Sequence, residues 1–195
     1  MFARTDRLLL RPGWAEDSAA LARALADRDV VRNLRQLPSA PLCGQTAHAP
    51  EQPAFDEPQL LILRRTMGAP HLIGSIAITR GSEGHELGFW IVRDAWGLGY
   101  ATEAARAMVA LARDSLRLPR LTAGQFLDNA ASARVLTKAG FRPLPPIEPV
   151  FSEGRGETLP CRRYVVDLAA RRGTSREAMP PLEQVEADPL QARAA

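Results

Sequence analysis

The sequence predicts a mixed α/β fold, with one mostly antiparallel sheet, helices against it and a parallel pair of strands at its centre. First, His85–Ala112 reads as a strand, a glycine-containing turn and a long helix. Second, another strand follows at Arg120–Phe126, so these elements form a parallel crossover. Third, the flanking strands read as hairpins. A chain of 195 residues that is 46% hydrophobic can bury one such core.

The N-terminal third predicts one strand, two helices and a loop. "RLLLRP" (Arg7–Pro12) reads as a short strand closed by Pro-Gly. Ala15–Asp27 is an amphipathic helix whose acidic residues favour its first turn, and Asp29–Leu34 adds a short second helix. Five prolines among small and polar residues predict an irregular loop over Pro38–Pro58.

Three strands follow. Gln59–Arg65 and His71–Arg80 read as antiparallel partners, and the imperfect alternation of the second suits a strand covered on both faces. Gly81–Gly84 turns the chain into the central strand, whose apolar and aromatic stretch is Gly88–Val92.

The turn after the central strand contains Gly97 and Gly99, where the backbone can bend sharply and approach a ligand. The following helix carries apolar residues at helical spacing, namely Ala101, Ala105, Met108 and Ala112. Its predicted outward residues are Glu103, Arg106 and Arg113. Free amides at a helix N-terminus, reached through glycines, predict a site for the pyrophosphate of a cofactor.

The C-terminal part predicts a second helix and two strands. "NAASARVLTKAG" is a helix with Asp128 or Asn129 as its cap and Gly140 as its stop. Phe141–Phe151 reads as a proline-interrupted edge strand, and Leu159–Ala169 as the last strand. The domain is therefore assigned to residues 1–169, and the polar, proline-bearing residues 170–195 to a disordered tail.

Three motifs resemble the GNAT N-acetyltransferases, and in particular the branch that includes the ribosomal-protein-alanine N-acetyltransferases. "WGLGYA" (Trp96–Ala101) resembles the acetyl-CoA signature Q/R-x-x-G-x-G/A, with Trp96 where glutamine or arginine is usual. "DNAASARVLTKAGF" (Asp128–Phe141) resembles the second motif of that branch, and "TDRLLLRPGWAED" (Thr5–Asp17) its first strand and turn. The resemblance runs from about Arg7 to Leu168.

The resemblance implies an acetyl-CoA-dependent transfer of an acetyl group to a primary amine by direct attack on the thioester. It also implies that the two central strands splay apart to admit the pantetheine arm, and that residues 38–58 help to form the acceptor site; a plain surface loop is the alternative. The residues assigned to acetyl-CoA are Ile91, Val92, Trp96, Gly97, Leu98, Gly99, Tyr100, Ala101, Thr102, Asn129 and Arg134. An amide of Phe89–Val92 would polarise the acetyl carbonyl.

Two residues are assigned catalytic roles. Glu86 opens the central strand where this branch carries an acid, so it is the candidate base that takes a proton from the amine, although a solvated strand end is the alternative. Ser132 is the family-matched donor to the leaving thiolate, and a purely helix-capping role stays open. His85 is a weaker candidate base, because it alternates to the other face. Tyr100 and Tyr164 are backup proton donors.

Composition and spacing argue against a metal site, nucleic-acid binding and a Rossmann fold. No cluster of residues has metal-ligand spacing, the net charge of +3 is small, and no dense basic run with aromatics predicts nucleic-acid binding. Two isolated cysteines, with no signal peptide or membrane span, predict a cytoplasmic protein. Thr102 stands at the third glycine of a Rossmann fingerprint, which argues against that fold.

Two questions stay open at this stage. A GNAT-like domain that only binds acyl-CoA, or regulates a partner, is the rival to an enzyme. The acceptor can be a protein N-terminus or a small amine, and a homodimer is compatible with the sequence.

Overall fold

Eight strands and four α-helices make up residues 1–37, 56–81 and 83–169, which the computed structural model describes. The strands are β1 (Ala3–Arg4), β2 (Leu8–Arg11), β3 (Gln59–Arg64), β4 (His71–Gly81), β5 (Gly84–Ile91), β6 (Arg120–Phe126), β7 (Arg142–Ser152) and β8 (Glu157–Asp167). The helices are α1 (Ser18–Leu25), α2 (Arg28–Val31), α3 (Tyr100–Asp114) and α4 (Ala130–Lys138).

The strands form one sheet in the order β1-β2-β3-β4-β5-β6-β8-β7. Every neighbouring pair is antiparallel except β5 and β6, which are joined by the crossover through α3. The predicted mixed sheet with a central parallel pair is therefore confirmed. The two-residue strand β1, which pairs Ala3 with Leu10, is an addition that the sequence pattern did not indicate.

Both faces of the sheet are covered. Leu60 and Ile62 of β3 belong to the main core beneath α3, while Leu61 and Leu63 belong to a second core beneath α1 and α2. Successive strand residues point to opposite faces, so a strand buried on both sides carries a continuous apolar run. The run "LLIL" in β3 has this cause.

Helix α3 packs its small residues against the sheet. Ala104, Ala105, Met108 and Ala112 are fully buried, and α4 adds Leu136 beside them. Small side chains allow the helix to approach the strands closely, and this fixes the position of its N-terminus at the end of β5.

Several boundaries differ from the prediction. The first helix begins with a 3-10 turn at Ala15–Asp17, because the Asp17 carboxylate accepts a hydrogen bond from the Trp14 amide and pairs with Arg11. Helix α2 is shorter than predicted. Strand β7 is the predicted edge strand. Most of the proline-rich loop, with Cys43 and His48, and the predicted tail lie outside the described residues. None of the described helices has the length and apolar content to cross a membrane.

Candidate active site

The central parallel pair is joined at a single position. Only Glu86 and Thr122 are in register between β5 and β6, whereas β6 pairs with β8 over its whole length. Past Glu86, the two strands therefore separate and leave a cleft through the sheet. This is the splay that the family resemblance implied.

Backbone groups of β5 face this cleft. The Val92 amide donates to the Ile73 carbonyl of β4, so it points away from β6. Because successive residues alternate, the amides of Ile91 and Phe89 point towards the cleft. The Ile91 carbonyl accepts a hydrogen bond from Trp96 Nε1 at 2.7 Å, so this side chain satisfies one backbone group that β6 leaves unpaired.

The turn at the end of the cleft needs its glycines. Gly97 and Gly99 have φ values of 73° and 82°, in the left-handed region that strains other residues. A side chain at Gly97 would project into open space, which leaves its backbone accessible. Gly99 caps α3 without a capping hydrogen bond from any described side chain, so the first amides of this 15-residue helix are available to an anion.

The N-terminal segment holds this turn in place. Arg7 pairs with Glu103 in the first turn of α3 at 2.7 Å and donates to the Leu98 carbonyl at 3.0 Å. Thr5 and the Arg7 amide also donate to Glu103. Burial opposes ionisation of Glu103, but these hydrogen bonds outweigh it and lower the pKa of the carboxyl. Glu103 is therefore not the outward residue that helical spacing predicted, because the Thr5–Arg7 segment covers it.

Helix α4 forms the opposite wall. The Asn129 side chain accepts a hydrogen bond from the Ser132 amide at 3.0 Å, which is the predicted helix cap. Ser132, Arg134 and Lys138 line the cleft from this helix. Two cations thus line the same cleft as the free helix N-terminus, and both add positive charge to it.

The candidate base meets an arginine that the sequence did not single out. Glu86 Oε2 lies 2.8 Å from Arg35 Nη2, and the side chains are 16% and 35% exposed. His85 points elsewhere, with Nε2 2.9 Å from Asp56 Oδ2, as strand alternation predicted. Glu86 is therefore the carboxylate on the cleft side of β5.

Arg35 is held there by contact between two distant parts of the chain. The turn after β7 packs against residues 31–37: Ser152 donates to the Leu34 carbonyl, and the Glu153 amide donates to the Arg35 carbonyl. A side chain at Gly154 would lie 2.0 Å from the Val31 carbonyl oxygen, so only glycine fits this approach.

A buried thiol adjoins the same carboxylate. Cys161 Sγ and Glu86 Oε1 each lie 3.4 Å from the point where Gly124 would carry a Cβ. Burial raises the pKa of the Cys161 thiol, although the Gln125 amide and Arg35 partly oppose this shift. A thiol in this state is a poor nucleophile.

These features enclose a cavity of about 560 Å³. Eleven predicted site residues line it: Glu86, Ile91, Trp96, Gly97, Gly99, Tyr100, Ala101, Thr102, Asn129, Ser132 and Arg134. Val92 and Leu98 are not brought to its wall; Val92 bonds to β4, and the Leu98 carbonyl bonds to Arg7. Tyr100 and Tyr164 are buried in the core, which favours a packing role.

The arrangement fits an elongated thioester with an anionic end. The free helix N-terminus and the two cations suit a pyrophosphate, and the cleft between β5 and β6 suits a narrow arm leading towards Glu86. The described residues contain no group of His, Cys, Asp and Glu that could hold a metal ion.

Comparisons with known proteins find related acetyltransferases. A family model described as "Acetyltransferase (GNAT) domain" matches residues 7–142. The uncharacterised N-acetyltransferase YoaA of Bacillus subtilis is 30% identical over 143 residues, which cover 71% of this chain and 81% of YoaA.

Solved structures share the fold. A ribosomal-protein-S5-alanine acetyltransferase from Vibrio fischeri superposes with a TM-score of 0.68 at 12% identity, covering 87% of this chain and 98% of its own. A spermidine N-acetyltransferase from Vibrio cholerae, solved with CoA and spermine, has a TM-score of 0.65 at 13% identity, over 84% and 97% of the two chains.

Proposed function

The chain belongs to the GNAT acetyltransferase family and is an N-acetyltransferase, and from this premise we propose that it moves the acetyl group of acetyl-CoA to a primary amine by direct attack on the thioester. The observation that carries the proposal is the single-residue pairing of β5 with β6. It leaves a cleft that connects the free N-terminus of α3 with Glu86, so an anion site and a carboxylate lie at the two ends of one passage.

Acetyl-CoA supplies an activated acetyl carbonyl and a leaving thiolate. The amides of Gly99, Tyr100 and Ala101, with Arg134 and Lys138, would hold its pyrophosphate. The Phe89 or Ile91 amide would donate to the acetyl oxygen, on which negative charge develops during attack. The Val92 amide is excluded from this role by its bond to Ile73.

Glu86 would accept the proton of the incoming ammonium. The nitrogen then attacks the acetyl carbon, and the carbon–sulfur bond breaks. The nitrogen gives up its second proton as the amide forms, and a proton reaches the departing thiolate through Ser132 or solvent. A thiol leaves readily as its anion, since its pKa is near 8.5, so the acid has a smaller task than the base.

Direct attack is favoured over transfer through an acetylated cysteine. Cys161 is the one cysteine among the described residues, and burial raises the pKa of its thiol, which disfavours the thiolate form. A two-step route would need a thiolate there.

The test is release of free thiol from acetyl-CoA in the presence of a panel of amines, with acetylated product identified by mass spectrometry. A domain that only binds acyl-CoA would bind acetyl-CoA in calorimetry without releasing thiol, and this result would overturn the proposal. Cys161→Ala should keep turnover; loss of turnover with intact acetyl-CoA binding would instead indicate an acetyl-cysteine route.

A further inference from the structure

The region of the cleft over Gly124 contains a carboxylate oxygen and a guanidinium nitrogen that form no hydrogen bond with the described residues. Glu86 uses Oε2 for Arg35, and among the described residues its Oε1 accepts no hydrogen bond. Within the described part of the chain, the Arg35 guanidinium donates only through Nη2. Oε1 lies 3.4 Å and Arg35 Nη1 lies 3.7 Å from the position that a Cβ of Gly124 would occupy. Both atoms therefore border the same small space.

The charges around this space restrict what can enter it. Among the described residues that line the cleft, Glu86 is the only acid, and Arg35 already neutralises it. Arg134 and Lys138 add positive charge further along. A second ammonium group would meet no described carboxylate here, so a polyamine is disfavoured by its own charge.

An α-amino acid matches the pair better than any other simple amine. Its ammonium and carboxylate are joined through one carbon, so they can contact Glu86 Oε1 and Arg35 Nη1 at the same time. Hydrogen bonds between charged groups are the strong ones, and a guanidinium edge suits a carboxylate. A peptide N-terminus has a neutral amide in place of this carboxylate, so it offers no second anion to Arg35 beside Glu86.

Apolar side chains border the same end of the cleft. Val30, Leu34 and Leu37 line it from the segment that carries Arg35, beside the polar Asn33 and Gln36, and Phe89 lines it from β5. If the acceptor's side chain lies against these apolar residues, an apolar side chain is favoured.

We propose that the acceptor is a free α-amino acid with an apolar side chain, whose carboxylate is bound by Arg35 and whose amine is presented to Glu86. This inference rests on the proposed acetyl transfer for its catalytic part, but not for the recognition of the carboxylate. Arg35 is thus a residue that determines acceptor specificity.

The experiment compares matched acceptors that differ only at the carboxylate. Leucine, leucinamide and isoamylamine are assayed for thiol release, together with the same sets built on alanine and phenylalanine, and with spermidine. An α-amine beside an amide loses its proton more easily than one beside a carboxylate, so intrinsic reactivity favours the amide. A higher kcat/KM for the acid therefore reports recognition. We expect the acid to be preferred over its amide by about tenfold to a hundredfold.

Substitution of Arg35 separates recognition from structural support. Arg35→Gln should bring the acid-to-amide ratio of kcat/KM close to one, and Arg35→Lys should retain part of the preference because it keeps the charge. A merely structural role would lower both values and leave the ratio unchanged. Arg142→Gln is the control, because Arg142 also pairs with a carboxylate, at 3.3 Å from Asp167, and does not line the cleft.

The outcomes distinguish this inference from the proposed function. Equal or better acetylation of amides or spermidine would overturn the inference and leave acetyl transfer standing. Calorimetry that shows binding of leucine over leucinamide, without thiol release from any amine, would support the carboxylate site and overturn the transfer. If leucine, alanine and phenylalanine are neither bound nor acetylated, the inference is overturned.

Discussion

Arg7 and Glu103 lie 96 positions apart in the chain, and their side chains form an ion pair of 2.7 Å directly behind the turn of Gly97 and Gly99. The same guanidinium donates to the Leu98 carbonyl and lies over the Tyr100 ring at 4.6 Å. Arg7 thus contacts the turn at the Leu98 carbonyl and the first turn of α3 at Glu103 and Tyr100. The segment between β1 and β2 therefore supports the proposed anion site without touching the anion.

Replacing Arg7 by glutamine should weaken acetyl-CoA binding more than it slows the chemical step. The turn loses the donor to Leu98 and the partner of Glu103, so its amides are less well ordered for an anion. We expect the KM for acetyl-CoA to rise about tenfold, with kcat changed less. Arg65→Gln, which loses bonds to the carbonyls of Thr5 and Asp6, is the control. An equal fall of kcat in both variants would contradict the positioning role.

Gly99→Ala should lower both stability and acetyl-CoA affinity. The cause is the backbone conformation, because at φ 82° an alanine is strained by about 1–2 kcal/mol, whereas Arg7 Nη2 at 3.5 Å leaves room for a Cβ. Thermal unfolding and calorimetry measure the two effects. Gly68→Ala is the control, since its Cβ would meet only Thr66 Oγ1 at 4.0 Å. Undiminished affinity in folded Gly99→Ala would remove this turn from the site.

Glu86→Gln tests the proposed base. The amide keeps the size of the carboxylate but cannot take a proton, so turnover should fall by roughly 10²–10⁴-fold near neutral pH. The loss should shrink as the pH approaches the pKa of the acceptor amine, where unprotonated amine becomes abundant. Acetyl-CoA affinity should hardly change. Glu83→Gln is the matched control, because Glu83 is an exposed glutamate that also pairs with an arginine, Arg163. Wild-type turnover across the pH range would make Glu86 a structural partner of Arg35 only.

Ser132→Ala should reduce turnover by about tenfold or less, because the thiolate needs limited help to leave. The cap of α4 uses the Ser132 amide and not its hydroxyl, so the helix should be retained. Steady-state kinetics measure the effect, and Thr137→Ala, on the exposed face of the same helix, is the control. Complete loss of turnover with intact acetyl-CoA binding would assign Ser132 a larger role.

Asp17 should make stability depend on pH in the acid range. The hydrogen bond from Arg11, opposed by burial and helped by the Trp14 amide, lowers the pKa of Asp17. A carboxyl whose pKa is lower in the folded state contributes stability above its unfolded pKa of about 3.9, and this stability is lost as the pH falls through the folded value. Asp17→Asn should therefore cost about 1.5–3 kcal/mol near neutral pH and progressively less below pH ~4.

Chemical denaturation at several pH values measures this difference. Asp167→Asn is the control, because its carboxylate is exposed and lies 3.3 Å from Arg142. A cost for Asp17→Asn that does not change between pH 7 and pH 3 would contradict the assignment.

Local patterns predicted most of the elements, because these depend on residues close in sequence, whereas the cleft was implied by the family resemblance. Strand β5, the turn of Gly97 and Gly99 and helix α3 follow one another in the sequence. The strand–turn–helix arrangement can therefore be predicted from that stretch alone. The meeting of Arg35 with Glu86 is different. It requires the turn at Gly154 to pack against Val31, and no local periodicity encodes a contact over that separation.

Sequence spacing was misleading where another segment covers a surface. Helical periodicity predicted Glu103 as an outward residue, but periodicity describes one helix and not what packs on it. Likewise, the five-residue stretch that ends at Val92 did not show which amides face the cleft, since this depends on the register with β4. Trp96 was visible as a departure from the family motif, yet only the fold shows its bond to Ile91.

The one register pair between β5 and β6 in the described sheet contains Glu86, so the two strands are held together at this position and not towards the cofactor entrance. Separation of the two strands would therefore widen the entrance and move the Glu86 carboxylate little. A ligand that binds in the cleft and contacts both β5 and β6 would hold the two strands at a fixed separation. Binding of acetyl-CoA should therefore also reduce the motion of the two strands. We expect it to slow amide hydrogen exchange in β5 and β6, on both sides of the cleft.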